Sequence, residues 1–447
     1  RIDATTLLPP DDSAFGFDNI ADALGISPAL QERYVSSAMK IAALAVGDPH
    51  QPPSSQTWRI RQDLSQDKRV SGLPLGTVGG TSASYNFPVS GTYRLEAKLY
   101  RTNLNIMRGL QTRHQVEFRI DGERVYLATF GGPEDLAAMY DRPTETGDAV
   151  DARLRTRVSV IAGPHEISVA FLANNQAFEP MRLQSFVRSS VDNFDWAGHP
   201  HLQSLTVSGP FDAAKQASDT PSRRRIFTCT PSSECAKSIL TRIASQAYRQ
   251  PTSPADLERI MAAYSQEKDF EAGVQSGIAR ILASPKFTFR AESPGRITDL
   301  ELASRLSFYL WSSIPDERLM QVAAKGDLKK PVVLEAEAKR MLDDPRAEAL
   351  TKNFAGQWLQ LRNLANFQPN TDLYPDFDDN LRQAFRQETE LLFKAVLTRK
   401  RSVLELLNAD YTFVDERLAR HYGIPNIHGS RFRKVPVSDE ARHGLLG

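Results

Sequence analysis

From about residue 76 to residue 208, apolar side chains fall at every second position, the period of strands with one face in a core. Tyr93, Leu95, Ala97 and Leu99 alternate with Arg94, Glu96 and Lys98, and Val116, Phe118 and Ile120 alternate with polar neighbours up to Asp121-Gly122. That dipeptide tolerates positive φ at both positions and signals a type I′ hairpin. Val125 and Leu127, the run 154–161, the Gly163-Pro164 turn, then Ile167, Val169 and Phe171 continue the pattern, and 202–208 adds a strand before the Gly209-Pro210 break. Many short antiparallel strands with turns between them predict a β-sandwich. The stretch 131–152 reads as a long insertion loop at one end of it, of the kind that carries binding or stays mobile.

On either side the period is helical. Ser27-Pro28 reads as an N-cap and first helical residue, followed by Leu30, Tyr34, Ala38, Ile41 and Ala45, with Gly47 as the stop. Beyond residue 235 the chain is helical almost throughout, with helices predicted from Ile239, over 255–264 and over 270–282. Thr298 and Glu301 make a capping box, Pro331 and Pro345 punctuate, and 377–397 is the longest helical run. The fold class is therefore α+β multidomain: a short N-terminal helical unit, a β-sandwich, and a mainly α-helical bundle.

Length and charge narrow the classes. At about 150 residues per domain, 447 residues suggest roughly three domains. With 55 basic and 54 acidic residues the net charge is +1, which argues against a nucleic-acid binder. No run approaches the ~20 apolar residues of a bilayer-spanning helix. The first residues, Arg1-Ile2-Asp3, carry no export signal, and the last, Leu445-Leu446-Gly447, stop on an apolar run, so both ends read as truncated. The two cysteines, Cys229 and Cys235, lie in one Pro- and Ser-bearing loop and read as a local disulfide in an oxidising compartment. A redox switch or two thiolate metal ligands are the alternatives, with no neighbouring His to complete a zinc set.

Candidate chemistry is sparse. His199 and His201, two apart on a strand approach, share a face and could hold a metal with Asp192 or Asp195; the ordinary reading is solvent-exposed loop histidines. His421 ends a helix, where a cationic imidazole would complement the dipole. Asp11, Asp12, Asp18 and Asp22 surround Gly16 with EF-hand-like spacing, but Phe15 and Phe17 occupy the wrong places and favour packing. Asp372, Asp376, Asp378 and Asp379 supply negative charge ahead of the longest helix. Arg223-Arg224-Arg225 reads as a solvated linker or an interdomain salt-bridge donor. The sequence holds no GxSxG, phosphate-binding loop, HExxH, GxGxxG after a strand, or haem-attaching CxxCH.

Several long strings, among them PDDSAFGFDNIAD, CAKSILTRIASQAYRQP, ELASRLSFYLWSSIPDE, NFAGQWLQLRNL and DYTFVDERLARHYGIP, resemble the planctomycete- and acidobacteria-type exported family built around domain of unknown function 1592. The resemblance includes its associated 1587 and 1595 units and the start of a 1588 unit. It implies a periplasmic or secreted protein from which a c-type cytochrome domain is missing, so that any haem belongs to that absent domain and this chain carries no cofactor of its own. The strand-rich region is similar in pattern to calcium-dependent, jelly-roll carbohydrate-binding modules. By that likeness Asn174, Asn175 and Glu179 are the candidate ligand-binding residues, with calcium as a possible ion. The implied domains are 1–60, an N-terminal helical fragment; 61–211, the sandwich; 212–236, a linker with the disulfide loop; 237–292, a small helical domain; 293–435, the 1592-like bundle; and 436–447, the start of a further domain.

Two functions follow as expectations. In the first, an exported accessory protein binds polysaccharide through the sandwich and docks a partner or cytochrome domain through the bundle. In the second, a polysaccharide-acting enzyme, a hydrolase or an oxidoreductase coupled to the missing haem domain, has its site at the sandwich/bundle junction, with His199, His201, Asp195 and His421 as first suspects.

Overall fold

Ser27 Oγ accepts a hydrogen bond from the Leu30 amide, Pro28 takes the first helical position, and Gly47 stops the helix at φ 72°, which defines α1 (Pro28–Val46) as the sequence predicts. The computed structural model describes residues 7–9, 11–50, 52–174, 196, 198–213, 219–290, 292, 295–370, 373–398 and 401–445.

Eight strands follow: β1 (Ser54–Arg59), β2 (Thr77–Phe87), β3 (Gly91–Leu99), β4 (Arg113–Ile120), β5 (Glu123–Gly131), β6 (Arg155–Val160), β7 (Gly163–Leu172) and β8 (Leu202–Gly209). They form two antiparallel four-stranded sheets, ordered β1-β8-β3-β6 and β2-β7-β4-β5. The inward faces alternate as the pattern predicts, so Tyr93, Leu95 and Leu99 of one sheet meet Phe118, Ile167 and Phe171 of the other in a single core. Asp121 and Gly122 sit at φ 50° and 82°, the signature of the predicted I′ turn. At Gly80, φ is +100° and the backbone lies against Val169 and Ala170 of β7, beside a register shift between Val78 and Thr81.

Two expectations are corrected here. The sandwich begins with β1 at Ser54, ahead of the predicted boundary at 61, because the polar segment 54–59 pairs residue for residue with β8 at the sheet edge. Residues 131–152 are not a loop. Pro133 and Pro143 each start a helix, α2 (Pro133–Asp141) and α3 (Pro143–Arg153), whose Met139 and Val150 are fully buried in the sandwich core.

After β8 come α4 (Pro221–Ile226), α5 (Ser233–Tyr248), α6 (Pro254–Tyr264) and α7 (Phe270–Leu282). Their core of Ile239, Leu240, Val274, Ile278 and Ile281 also contains Ala42 and Val46 of α1. The N-terminal helix is thus no separate fragment; it packs with chain lying beyond the sandwich. Arg223 of α4 seals that contact, donating to the Val46 carbonyl (2.8 Å) and pairing with Glu271, so part of the expected linker is a helix with a structural arginine.

Cys229 and Cys235 are bonded, with Cα atoms 5.9 Å apart, and Cys235 is buried in the first turn of α5. The ring spans only six positions of sequence, so replacing both cysteines by serine is expected to lower stability by about 2 kcal/mol. Urea unfolding followed by far-UV circular dichroism measures it. A variant as stable as the parent would show that the bond constrains nothing the core does not already hold.

The bundle comprises helices Asp299–Trp311, Glu317–Ala324, Pro331–Asp343, Asp379–Thr398 and Glu416–Tyr422, a π-helical stretch Leu350–Ala355, and the hairpin β9 (Tyr411–Val414) with β10 (Arg433–Pro436). The Thr298/Glu301 capping box is formed, and Trp311 donates its indole N–H to the Met341 carbonyl at 2.9 Å. Beyond β10 the Val437 amide donates to the Asp410 carbonyl and the Leu445 amide to the Leu406 carbonyl, both at 2.8 Å. Those bonds tie residues 437–445, expected to open a further domain, onto the bundle.

Sandwich and bundle meet through polar contacts. Arg382 bridges Asp379 of its own helix and Asp63 of the segment after β1 (2.9 Å), Lys68 pairs with Glu416 (2.9 Å), and the Ser65 amide donates to Asn380 Oδ1 (2.7 Å).

Candidate functional site

The sequence-nominated residues do not converge. His199 and His201 are only 5% and 3% exposed, so the expectation of solvent-exposed loop histidines fails. Their rings are 6.5 Å apart, and His199 stacks edge-on against Phe171 (4.7 Å) and lies 5.5 Å from His114. Burial, reinforced by His201 and His114, holds the His199 pKa down to about 3, so its imidazole is neutral at physiological pH. Asp195, Asn175 and Glu179 lie outside the described residues. Asn174 is exposed and donates to the Arg113 carbonyl (3.1 Å). Among the described residues no three His, Cys, Asp or Glu side chains gather as metal ligands.

His421 lies far along the chain from these residues, against Phe385 (5.3 Å) and Tyr422. Partial burial and the nearby Arg417 and Arg442 lower its pKa, which disfavours the cationic form expected there. In the EF-hand-like loop, Phe17 packs on Phe354 (6.4 Å) and Asp18 pairs with Arg362 (2.6 Å). Phe17 thus packs as expected, whereas Phe15 is 92% exposed and does not.

Two places do bring functional chemistry together. The first is the α2 end of the sandwich. Met139 anchors α2 in the core, which leaves Tyr140 on the outer side, 60% exposed, with its ring 4.2 Å from that of Trp196 at 32°. Trp196 is held by its carbonyl, which accepts from the Gly109 amide (3.0 Å) and from Gln111 Nε2 (2.6 Å). Asn105 and Thr144 are hydrogen-bonded nearby along the same connection (3.1 Å). An aromatic pair with the Gln111 side-chain amide bonded to one of its members offers an apolar face beside a polar group. Pattern reading missed it because one ring sits on a helix taken for loop and the other beside no periodic element.

The second is a cleft of about 560 Å³ at the sandwich/bundle junction. The segment after β1, the turn of β2 at Gly80, the start of helix Asp379–Thr398, and residues 415–417 and 429–432 wall it. Five basic side chains line it, Arg59, Arg61, Lys68, Arg69 and Arg417. Five acidic ones balance them, Asp67, Asp378, Asp379, Asp415 and Glu416. Asp378 Oδ1 caps the long helix by accepting from the Leu381 amide (2.8 Å), and Asp415 Oδ1 caps the next by accepting from Leu418 (2.9 Å). Burial pushes both carboxyls above the usual range. Of the residues singled out in the sequence only Asp378 and Asp379 belong to this cleft, and their helix-capping position was the single signal.

Among the described residues no helix is long and apolar enough to cross a membrane. No curated protein matches the chain. Among solved structures the chain is similar to a family 35 carbohydrate-binding module (CBM35) from Cellvibrio japonicus Abf62, at 13% identity over 37% of this chain and 100% of that one, with a TM-score of 0.19. It is also similar to the CBM36-1 domain of a multidomain xylanase from the hindgut metagenome of Trinervitermes trinervoides, at 11% identity over 35% of this chain and 98% of that one (TM-score 0.17). A third is a family 35 carbohydrate-binding module from Clostridium thermocellum, at 12% identity over 36% and 100% (TM-score 0.17). Three family models, each described as a protein of unknown function, match in chain order: DUF1587 over residues 1–47, DUF1595 over 235–292 and DUF1592 over 297–424. The first two cover the helical units that pack together across the sandwich and the third covers the bundle, so the chain carries all three units and matches the family built around DUF1592 with its DUF1587 and DUF1595 units.

Proposed function

We propose that this protein is an exported accessory protein that binds polysaccharide through the α2 end of its sandwich and docks a partner, such as a cytochrome domain, through its helical part. The observation that carries the binding half is the Tyr140–Trp196 pair, rings 4.2 Å apart with Tyr140 60% exposed, beside Gln111. Sugar rings present C–H faces that stack on aromatic rings and hydroxyls that pair with amides. The bonded cysteine pair supports an oxidising compartment.

Retention of the full chain on insoluble xylan, cellulose and mannan, with and without chelator, tests this reading. Tyr140→Ala and Trp196→Ala are each expected to weaken retention about tenfold, the equivalent of ~1.4 kcal/mol of lost stacking. Failure of every polysaccharide to retain the parent chain would remove the reading.

The junction cleft favours a second reading, a hydrolase that uses Asp378 and Asp415, two carboxyls that line one cleft and whose pKa values burial raises. Release of reducing ends that disappears in Asp415→Asn would support it.

A further inference from the structure

We propose that the cleft between sandwich and bundle binds a neutral polyhydroxylated ligand, a sugar residue or the end of a short oligosaccharide, with Asp378 and Arg417 holding one hydroxyl between them. This rests on the cleft alone and stands whether or not the α2 end of the sandwich binds carbohydrate.

At about 560 Å³ the cleft falls within the range of small-molecule sites, about 300–1,000 Å³. Asp378 is 2% exposed, and although its Oδ1 is engaged by the Leu381 amide, its Oδ2 has no hydrogen-bond partner among the described residues. Arg417 is 8% exposed and donates through Nη2 to the Asp376 carbonyl. Its Nε faces Asp378 Oδ1 at 3.5 Å, an ion pair without a hydrogen bond, and has no other partner among the described residues.

Buried polar atoms are satisfied in roughly nine cases in ten, so an unfilled acceptor and an unfilled donor on adjoining side chains of one cleft mark a place for a ligand atom. A hydroxyl fits both, because it donates and accepts. An ammonium group only donates and a carboxylate or phosphate only accepts, so either leaves one buried atom unfilled at a penalty of about 1–3 kcal/mol. The lining gives the same answer: five basic and five acidic side chains present no net charge to draw in an ion. Gln387 on the long helix and Ser430 also line the cleft and supply neutral partners for further hydroxyls. A single water, whose share of liquid volume is about 30 Å³, would fill the hydroxyl position but not the cleft.

Saturation-transfer NMR on the full chain tests the proposal, with cellobiose and xylobiose as neutral probes and glucosamine and glucuronic acid as charged ones. Transfer to the neutral disaccharides is expected, weakened at least tenfold by Asp378→Asn. Gln387→Trp is expected to abolish it, because it fills the mouth of the cleft from an exposed position and leaves the buried pair intact. All of these variants are read in a Tyr140→Ala background, so that saccharide held at the α2 end of the sandwich does not mask the cleft. Circular dichroism confirms the fold of each variant. Transfer that survives Gln387→Trp, or a folded Asp378→Asn, overturns the proposal, as does preference for a charged probe or no transfer from any of the four. Loss of all transfer in Tyr140→Ala would assign the saccharide to the sandwich end instead and leave that reading standing.

Discussion

Acidification from pH 7 to pH 4 is expected to cost the sandwich about 3 kcal/mol through His199 alone. Burial holds that imidazole near a pKa of about 3 in the folded chain, against ~6.5 when unfolded. Above pH 6.5 both states are neutral there and the full stability is present. Below it the unfolded chain takes up a proton that the folded sandwich refuses, so stability falls by about 1.4 kcal/mol per unit until the pH nears 3. His114, likewise lowered by burial, acts in the same sense, and Asp151, raised by burial, acts in the opposite one. The clean readout is therefore a comparison with His199→Gln. Urea midpoints at pH 7, 5.5 and 4, followed by tryptophan fluorescence, should diverge between the two proteins as the pH drops. Parallel profiles would mean that the imidazole is hydrated in the folded state.

Gly80→Ala is expected to destabilise the sandwich by more than about 3 kcal/mol. A Cβ there would run into the Val169 carbonyl oxygen and lie 2.8 Å from Ala170 Cα, backbone atoms that cannot rotate away, at a φ of +100° that alanine disfavours. The neighbouring Thr81↔Val169 and Ser82↔Ser168 pairs would have to move apart. Thermal unfolding should show an early transition in the strand signal while the helical signal persists. A single transition at the parental temperature would show that β2 slides at its bulge to make room.

What the sequence disclosed follows from how strongly each element is patterned. β3, β4, β7 and β8 alternate clearly because one face of each is core, and α1 and helix Asp299–Trp311 announce their ends through Ser27, Gly47, Thr298 and Glu301. β1 lies ahead of the strand-rich region read from the sequence, and the Gly- and Ser-rich β2 falls inside it without being legible as a separate strand, because small polar residues pair through the backbone and leave no apolar period. α2 and α3 read as loop in the sequence because only a few of their residues are buried, Met139 and Val150 being the apolar ones. The His199/His201 spacing was visible but their burial was not, since it depends on Phe171 and His114 approaching from other strands. The junction cleft could not be read at all: its walls come from segments more than 300 positions apart, between Ser65 and Asn380 for example.

The contact of α1 with α7, clasped by Arg223 on the Val46 carbonyl, puts the chain's exit to the sandwich and its return side by side. The helical unit is thereby closed across its own interruption, and the strand-built region is a cassette plugged into it. Shortening residues 48–220 to a brief loop should leave a body that still folds, and exchanging the cassette for another with adjacent termini would change what the molecule recognises without redesigning its chassis.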